Sequence, residues 1–257
     1  MPTALITGAT AGIGASFARR LAKDGLGLVL VARDLARLEE TASALSKRFS
    51  VPVEALQADL ATDEGIAVVE ARLADADRPV DMLINNAGFG LRDSFGTAPL
   101  AAEVAMVKLH VEAVLRLTYA ALPGMRGRGR GYVVNVASVA AFLPRGTYGA
   151  SKSWVVNFSQ SVARDVAGTG VRIMVLCPGF THTEFHDRAR VDMTELRNWM
   201  WLTAEQVVDE SLRDLARGKS VSVPALRYKA LVAAARKAPL AALVGITSQA
   251  GRRLDRR

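Results

Sequence analysis

The chain has 257 residues, half of them apolar and 23% charged, which excludes a disordered chain and leaves room for one large α/β domain or two small ones. Its one cysteine, Cys177, excludes an intrachain disulfide and fits a reducing, cytoplasmic setting. The net charge of +8 is basic, yet residues 226–257 carry +7 of it, so the body is near neutral and no nucleic-acid partner is expected.

The opening MPTALITG enters an apolar run without the basic and apolar regions of a signal peptide. No apolar stretch approaches the roughly 20 residues of a membrane-spanning helix. A predicted strand over 4–7 runs into Gly8, Gly12 and Gly14, spaced G-x-x-x-G-x-G, and then a helix over 13–24. Between strand and helix, such glycines allow a tight turn and close approach of backbone to a pyrophosphate. The second strand, 26–32, ends at Arg33. An acidic residue there would suit the ribose hydroxyls of NAD, whereas a guanidinium suits the 2′-phosphate of NADP. Asp34 is placed to cap the next helix, 34–48.

A strand over 53–58 leads to Asp59 and Leu60, a helix over 63–75 follows, and a strand over 81–85 ends at Asn86-Ala87-Gly88. A helical pattern over 99–122 contains His110. The basic stretch 125–131, MRGRGRG, is too short for an RNA-binding segment and reads as a turn. The strand 132–137 ends at Ser138, and a loop over 139–147 precedes a helix over 147–167 that carries Tyr148 and Lys152. Residues four apart share a helix face. A lysine there would favour the phenolate and lower the tyrosine pKa. Gly149, Ala150 and Ser151 leave space beside the pair.

The strand 171–176 leads to Pro178, Gly179, Thr181 and Thr183. Residues 180–203 lack a strand signal and read as a lid, in which Phe180, Phe185, Trp199, Met200 and Trp201 suggest an apolar substrate. His182 and His186 have a metal-like spacing but no evident third ligand, so no metal is expected. A helix over 204–217 and a strand over 220–223 complete the pattern, and 224–257 is a basic extension. Its Leu231, Leu240, Leu243 and Val244 alternate with Lys and Arg, as would suit peripheral contact with an anionic membrane. Continuous apolar strands separated by helices predict a doubly wound α/β fold, a seven-stranded parallel sheet covered on both faces, within one domain over 1–257 whose core is 1–223.

Five segments in order, TGATAGIG (7–14), INNAG (84–88), VVNVAS (133–138), TYGASK (147–152) and CPGFTHT (177–183), resemble the short-chain dehydrogenase/reductase family, in its compact oxidoreductase branch. The resemblance implies a Rossmann fold and an NADP(H)-dependent enzyme interconverting a carbonyl and an alcohol, with a homo-oligomeric assembly. It implies Tyr148 as general acid/base, Lys152 as the group that tunes it and holds the nicotinamide ribose, and Ser138 as hydrogen-bond partner of the reacting oxygen. Cofactor contacts implied in the same way are Gly8, Thr10, Gly12, Ile13 and Gly14; Arg33; Asp59 and Leu60; Asn86, Ala87 and Gly88; Tyr148 and Lys152; and Pro178, Gly179, Thr181 and Thr183. Two departures stand out. Ser138 and Tyr148 are ten residues apart, which shortens the loop beside the substrate, and thirteen residues before Pro123 the usual Asn is replaced by His110. As a fourth catalytic residue His110 could keep the Asn's helix irregularity and titrate near neutral pH. The rival readings are a membrane-peripheral reductase of lipid-like or acyl substrates and a non-catalytic NADP-binding scaffold.

Overall fold

The computed structural model describes residues 1–91, 95–184 and 198–238. Seven parallel strands form one sheet: β1 Thr3–Thr7, β2 Gly27–Ala32, β3 Val53–Gln57, β4 Met82–Asn85, β5 Gly131–Val136, β6 Val171–Leu176 and β7 Val221–Ser222. Their spatial order is β3-β2-β1-β4-β5-β6-β7. The order reverses at β1, where β2 lies on one side and β4 on the other. Such a reversal opens a crevice at the carboxyl ends of the strands.

Because the sheet is covered on both faces, its central strands are mostly apolar, yet alternate residues still serve different cores. Ala4, Ile6, Leu28 and Leu30 enter one cluster with α1 (Gly12–Lys23) and α2 (Leu35–Phe49). Leu5, Val29 and Val31 enter the other with α3 (Asp63–Ala74). Capping fixes the helix starts. Asp34 accepts from the Arg37 amide at 3.1 Å, and Thr62 accepts from the Gly65 amide at 3.0 Å.

The 99–122 pattern resolves into α4 (Leu100–Val107), a π turn (Lys108–Glu112) and α5 (Ala113–Gly127). Helix therefore occupies the first three residues of the basic stretch expected to be turn. Met125 is fully buried, and a Cβ on Gly131 would meet its side chain at 2.5 Å. Burying that methionine draws the helix past Pro123. After a 3₁₀ turn (Val139–Phe142), α6 spans Gly146–Asp165. The 3₁₀ turn Asn198–Met200 precedes α7 (Ala204–Ala216), which begins with a capping box between Thr203 and Gln206.

The extension is not uniformly a tail. Its first part is α8 (Leu226–Lys237), which buries Tyr228, Val232 and Ala235 at helical spacing. Residues 239–257, with most of the expected membrane-contacting segment, lie outside the described residues. Among the described residues no helix is long and apolar enough to cross a membrane.

Candidate active site

The crevice begins at the turn after β1. Gly8 has φ +65° and donates to the Val31 carbonyl at 2.9 Å. A Cβ on it would stand 3.0 Å from both Asn86 Nδ2 and Ala87 Cα, and a Cβ on Gly14 would lie 2.2 Å from the Gly8 carbonyl. These glycines are dictated by close backbone packing. Gly12, with φ +52°, faces Thr183 across the crevice, where a Cβ would meet its side chain at 2.9 Å. Thr10 is half-buried in the turn and Ile13 leans on the core. Thr7, which sequence reading missed, accepts from the Asn86 and Ala87 amides at 2.9 Å each. Asn86 returns Nδ2 to the carbonyls of Thr7 and Gly8 at 2.9 and 3.2 Å, so its side chain braces the turn.

Arg33 is exposed at the end of β2 and forms no ion pair among the described residues; Gln57 holds its carbonyl at 2.9 Å. One helical turn away, Arg37 is committed to Glu184, at 3.1 and 2.5 Å. Asp59 accepts from the Ala61 amide at 3.0 Å, and the Leu60 side chain is buried in the second core.

Ser138 follows β5 in extended backbone and caps the 3₁₀ turn by accepting from the Ala140 amide at 3.1 Å. Tyr148, in the first turn of α6, is hydrogen-bonded to Ser138, so the short loop does bring the two hydroxyls together. Lys152 lies one turn further, 5% exposed, with Nζ 5.9 Å from the Tyr148 ring centroid. The expected lowering of the tyrosine pKa is not the net result. Burial pushes Tyr148 up, opposed by the Ser138 hydrogen bond and the Arg145 charge. Burial also lowers Lys152 to about 8. The small residues between the pair serve the chain itself. A Cβ on Gly149 would stand 2.9 Å from the Leu143 carbonyl, and Ser151 donates to the Tyr148 carbonyl at 2.9 Å.

His110 sits in the π turn, fully buried. Its Nε2 accepts from the Phe89 amide at 3.2 Å, which leaves Nδ1 protonated toward Ser151 Oγ at 3.0 Å. This overturns the expectation of titration near neutral pH. Burial, and then the Lys152 charge, push its pKa well below the usual 6.5, and both ring nitrogens are used by the neutral form. The helix irregularity is present, and His110 meets the site edge-on to the Tyr148 ring at 5.7 Å, through Ser151, and at Gly88, where a Cβ would lie 2.9 Å from Nε2.

After β6, Pro178 accepts from the Val139 amide at 3.0 Å, and Thr181 donates to the Gly179 carbonyl at 2.9 Å. Tyr228 of α8, absent from the sequence reading, fastens this stretch. Its hydroxyl accepts from the Phe180 amide at 3.0 Å and donates to the Met200 carbonyl at 2.6 Å, and its ring fills the space where a Gly179 side chain would stand. Thr181 bridges to Leu202, so both ends of the 180–203 segment are joined. His182 stacks on Trp201 at 4.4 Å, and Phe180 lies 6.1 Å from the same ring. Phe185 and His186 lie outside the described residues.

The residues present fit a nicotinamide dinucleotide. A buried ammonium has three donors, yet among the described residues Lys152 has a single hydrogen-bond partner, the Val136 carbonyl at 2.9 Å. Its remaining donors suit ribose hydroxyls, and the glycine turn and Arg33 suit phosphates.

The model of the short chain dehydrogenase family matches residues 2–194. Sulfoacetaldehyde reductase 2 of Chromohalobacter salexigens is 38% identical over 186 residues, 70% of this chain and 73% of that protein. A solved short-chain dehydrogenase from Sphingobium yanoikuyae in complex with NADPH is 37% identical with a TM-score of 0.84, over 92% of this chain and 94% of that one. The bulky-bulky ketone specific alcohol dehydrogenase from Comamonas testosteroni is 33% identical with a TM-score of 0.80, over 92% of each chain.

Proposed function

The chain belongs to the short-chain dehydrogenase/reductase family, and on that premise we propose that it is an NADP(H)-dependent oxidoreductase that reduces a ketone or aldehyde to an alcohol. The observation that carries this reading is Lys152, a buried ammonium with open donors, one turn from a tyrosine bonded to Ser138. When bound, the reduced nicotinamide supplies a hydride to the carbonyl carbon. Tyr148, kept protonated by burial, gives its proton to the carbonyl oxygen, and Ser138 orients that oxygen. Tyr148 then recovers a proton from solvent, so one hydride and one proton account for the alcohol. Lys152, charged below about pH 8, holds the ribose. Arg33 takes the 2′-phosphate, a reading supported by its having no ion pair among the described residues and by the NADPH bound to the Sphingobium relative.

Phe180, Trp199 and Trp201 give the substrate an apolar wall. Homo-oligomerisation is supported by the exposed Leu100, Val104, Val107, Leu115 and Tyr119 along α4 and α5. A carbonyl panel followed by NADPH absorbance, on wild type and Tyr148→Phe, tests the reading. Wild type is expected to oxidise NADPH with at least one carbonyl. Tyr148→Phe is expected to lose about 10²–10⁴-fold in turnover while still binding NADPH. A variant that keeps more than a few per cent of the activity excludes the assigned role.

A further inference from the structure

Two arginines belong to the short segment joining Ser138 to Tyr148, one within it and one laid on its Phe142 ring. Arg145 immediately precedes α6, three residues before Tyr148, and its Cβ would be 3.1 Å from a Cβ on Gly149. Arg236 comes from the last turn of α8 and lies over the Phe142 ring, 5.0 Å from its centroid. Both are exposed, and neither has a carboxylate partner among the described residues. Arg236 is not a loose tail residue, because α8 is anchored by Tyr228, Val232 and Ala235. Among the described residues, cations act on the buried groups of the site. Arg145 acts on Tyr148, Lys152 on His110, and Arg236 and Lys152 on Cys177.

A neutral ketone bound against Phe142 would leave both guanidinium groups to water. A ketone with an anionic group would gain charge-assisted hydrogen bonds from them. We propose that the carbonyl substrate carries an anionic group, a carboxylate, sulfonate or phosphate, received between Arg145 and Arg236 while its carbonyl lies against Ser138 and Tyr148. The inference rests on the reductase reading and specifies its substrate class. It also gives part of the excess positive charge, which the sequence suggested for a membrane surface, a task at the reaction site.

The test uses the full chain at saturating NADPH and a series of keto acids of increasing length, each paired with its methyl ester. The acids are expected to show the higher kcat/KM, in a ratio to the esters that falls as salt is raised. Arg145→Gln and Arg236→Gln should each lower the acid-to-ester ratio about threefold to tenfold. Arg164→Gln, an exposed arginine in the last turn of α6, is expected to leave it unchanged. Esters turned over as well as acids, or a ratio indifferent to both arginines, overturns the proposal while the reductase reading stands. If neither acids nor esters are reduced, and the wider carbonyl panel is inert too, the reductase reading falls and this inference with it.

Discussion

The arginines of the α3–α5 face and three of those around the crevice live in opposite circumstances. On α5, Arg116 reaches Glu70 at 2.8 and 2.6 Å, Glu112 at 3.2 Å and Asp63 at 3.1 Å. On α3, the buried Arg72 donates to Glu54 at 2.9 Å and to the Arg78 carbonyl at 2.7 Å. Around the crevice, Arg33, Arg145 and Arg236 have no carboxylate partner among the described residues. A guanidinium with its fork filled ties one element to another, and one left open keeps its donors for something outside the chain. The same residue type thus ties elements together in one place and, in the other, is proposed to hold cofactor and substrate.

The comparison breaks if the open arginines prove silent. Arg33→Ala is expected to weaken NADPH binding roughly tenfold to a hundredfold, the worth of a charge-assisted contact of about 1.5–3 kcal/mol, while NADH affinity barely moves. Parallel titrations of the two cofactors check it, and equal losses for both would mean that Arg33 does not read the 2′-phosphate. The filled arginines should show the reverse pattern. Arg72→Gln is expected to cost about 1–2 kcal/mol in denaturant unfolding, because Glu54 and the Arg78 carbonyl lose their partner. Glu54 is a third exposed, which holds the figure down. KM for NADPH and for substrate should stay put, and a shifted KM would blur the distinction between the two classes.

The sequence was informative where a residue's role is imposed by its immediate neighbours along the chain. The seven strands announce themselves by apolar runs, and Gly8, Gly12 and Gly14 by their place between a strand and a helix. Ser138, Tyr148 and Lys152 were singled out by the resemblance of their two adjoining segments to the short-chain dehydrogenase/reductase family, and the fold brings them together. What stayed hidden depends on distant pairing. Tyr228 closes on Phe180 and Met200 across 48 and 28 residues. The buried Asn85, bonded to Asn135 at 2.9 Å across two neighbouring strands, likewise gives no local sign. The Tyr228, Val232, Ala235 spacing was a helical signal for α8, masked by the lysines and arginines around it. For His110 the position was legible and the chemistry was not, since a pKa is set by burial and partners that only the fold supplies.

His110 offers the finest test of that distinction, because its role here is to be neutral. Its ring is enclosed by Phe89, Tyr148, Ser151 and the Lys152 ammonium, with both nitrogens hydrogen-bonded in the uncharged state. The unfolded chain takes up a proton near the ordinary pKa of 6.5, whereas the folded chain refuses it until well below that value. The unfolded state therefore binds more protons in this window, and stability falls as the pH drops below 6.5. The slope approaches about 1.4 kcal/mol per pH unit, or about 1 kcal/mol between about pH 6.5 and 5.5. His110→Asn removes this contribution and keeps a side chain able to hydrogen-bond. Urea unfolding of both proteins across that range should show wild type losing the extra stability, while their pH–rate profiles from about pH 6 to 7.5 superimpose. Parallel stability curves would mean that the histidine charges inside the fold. A rate profile that separates near neutral pH would restore to His110 the titrating role that its hydrogen bonds deny.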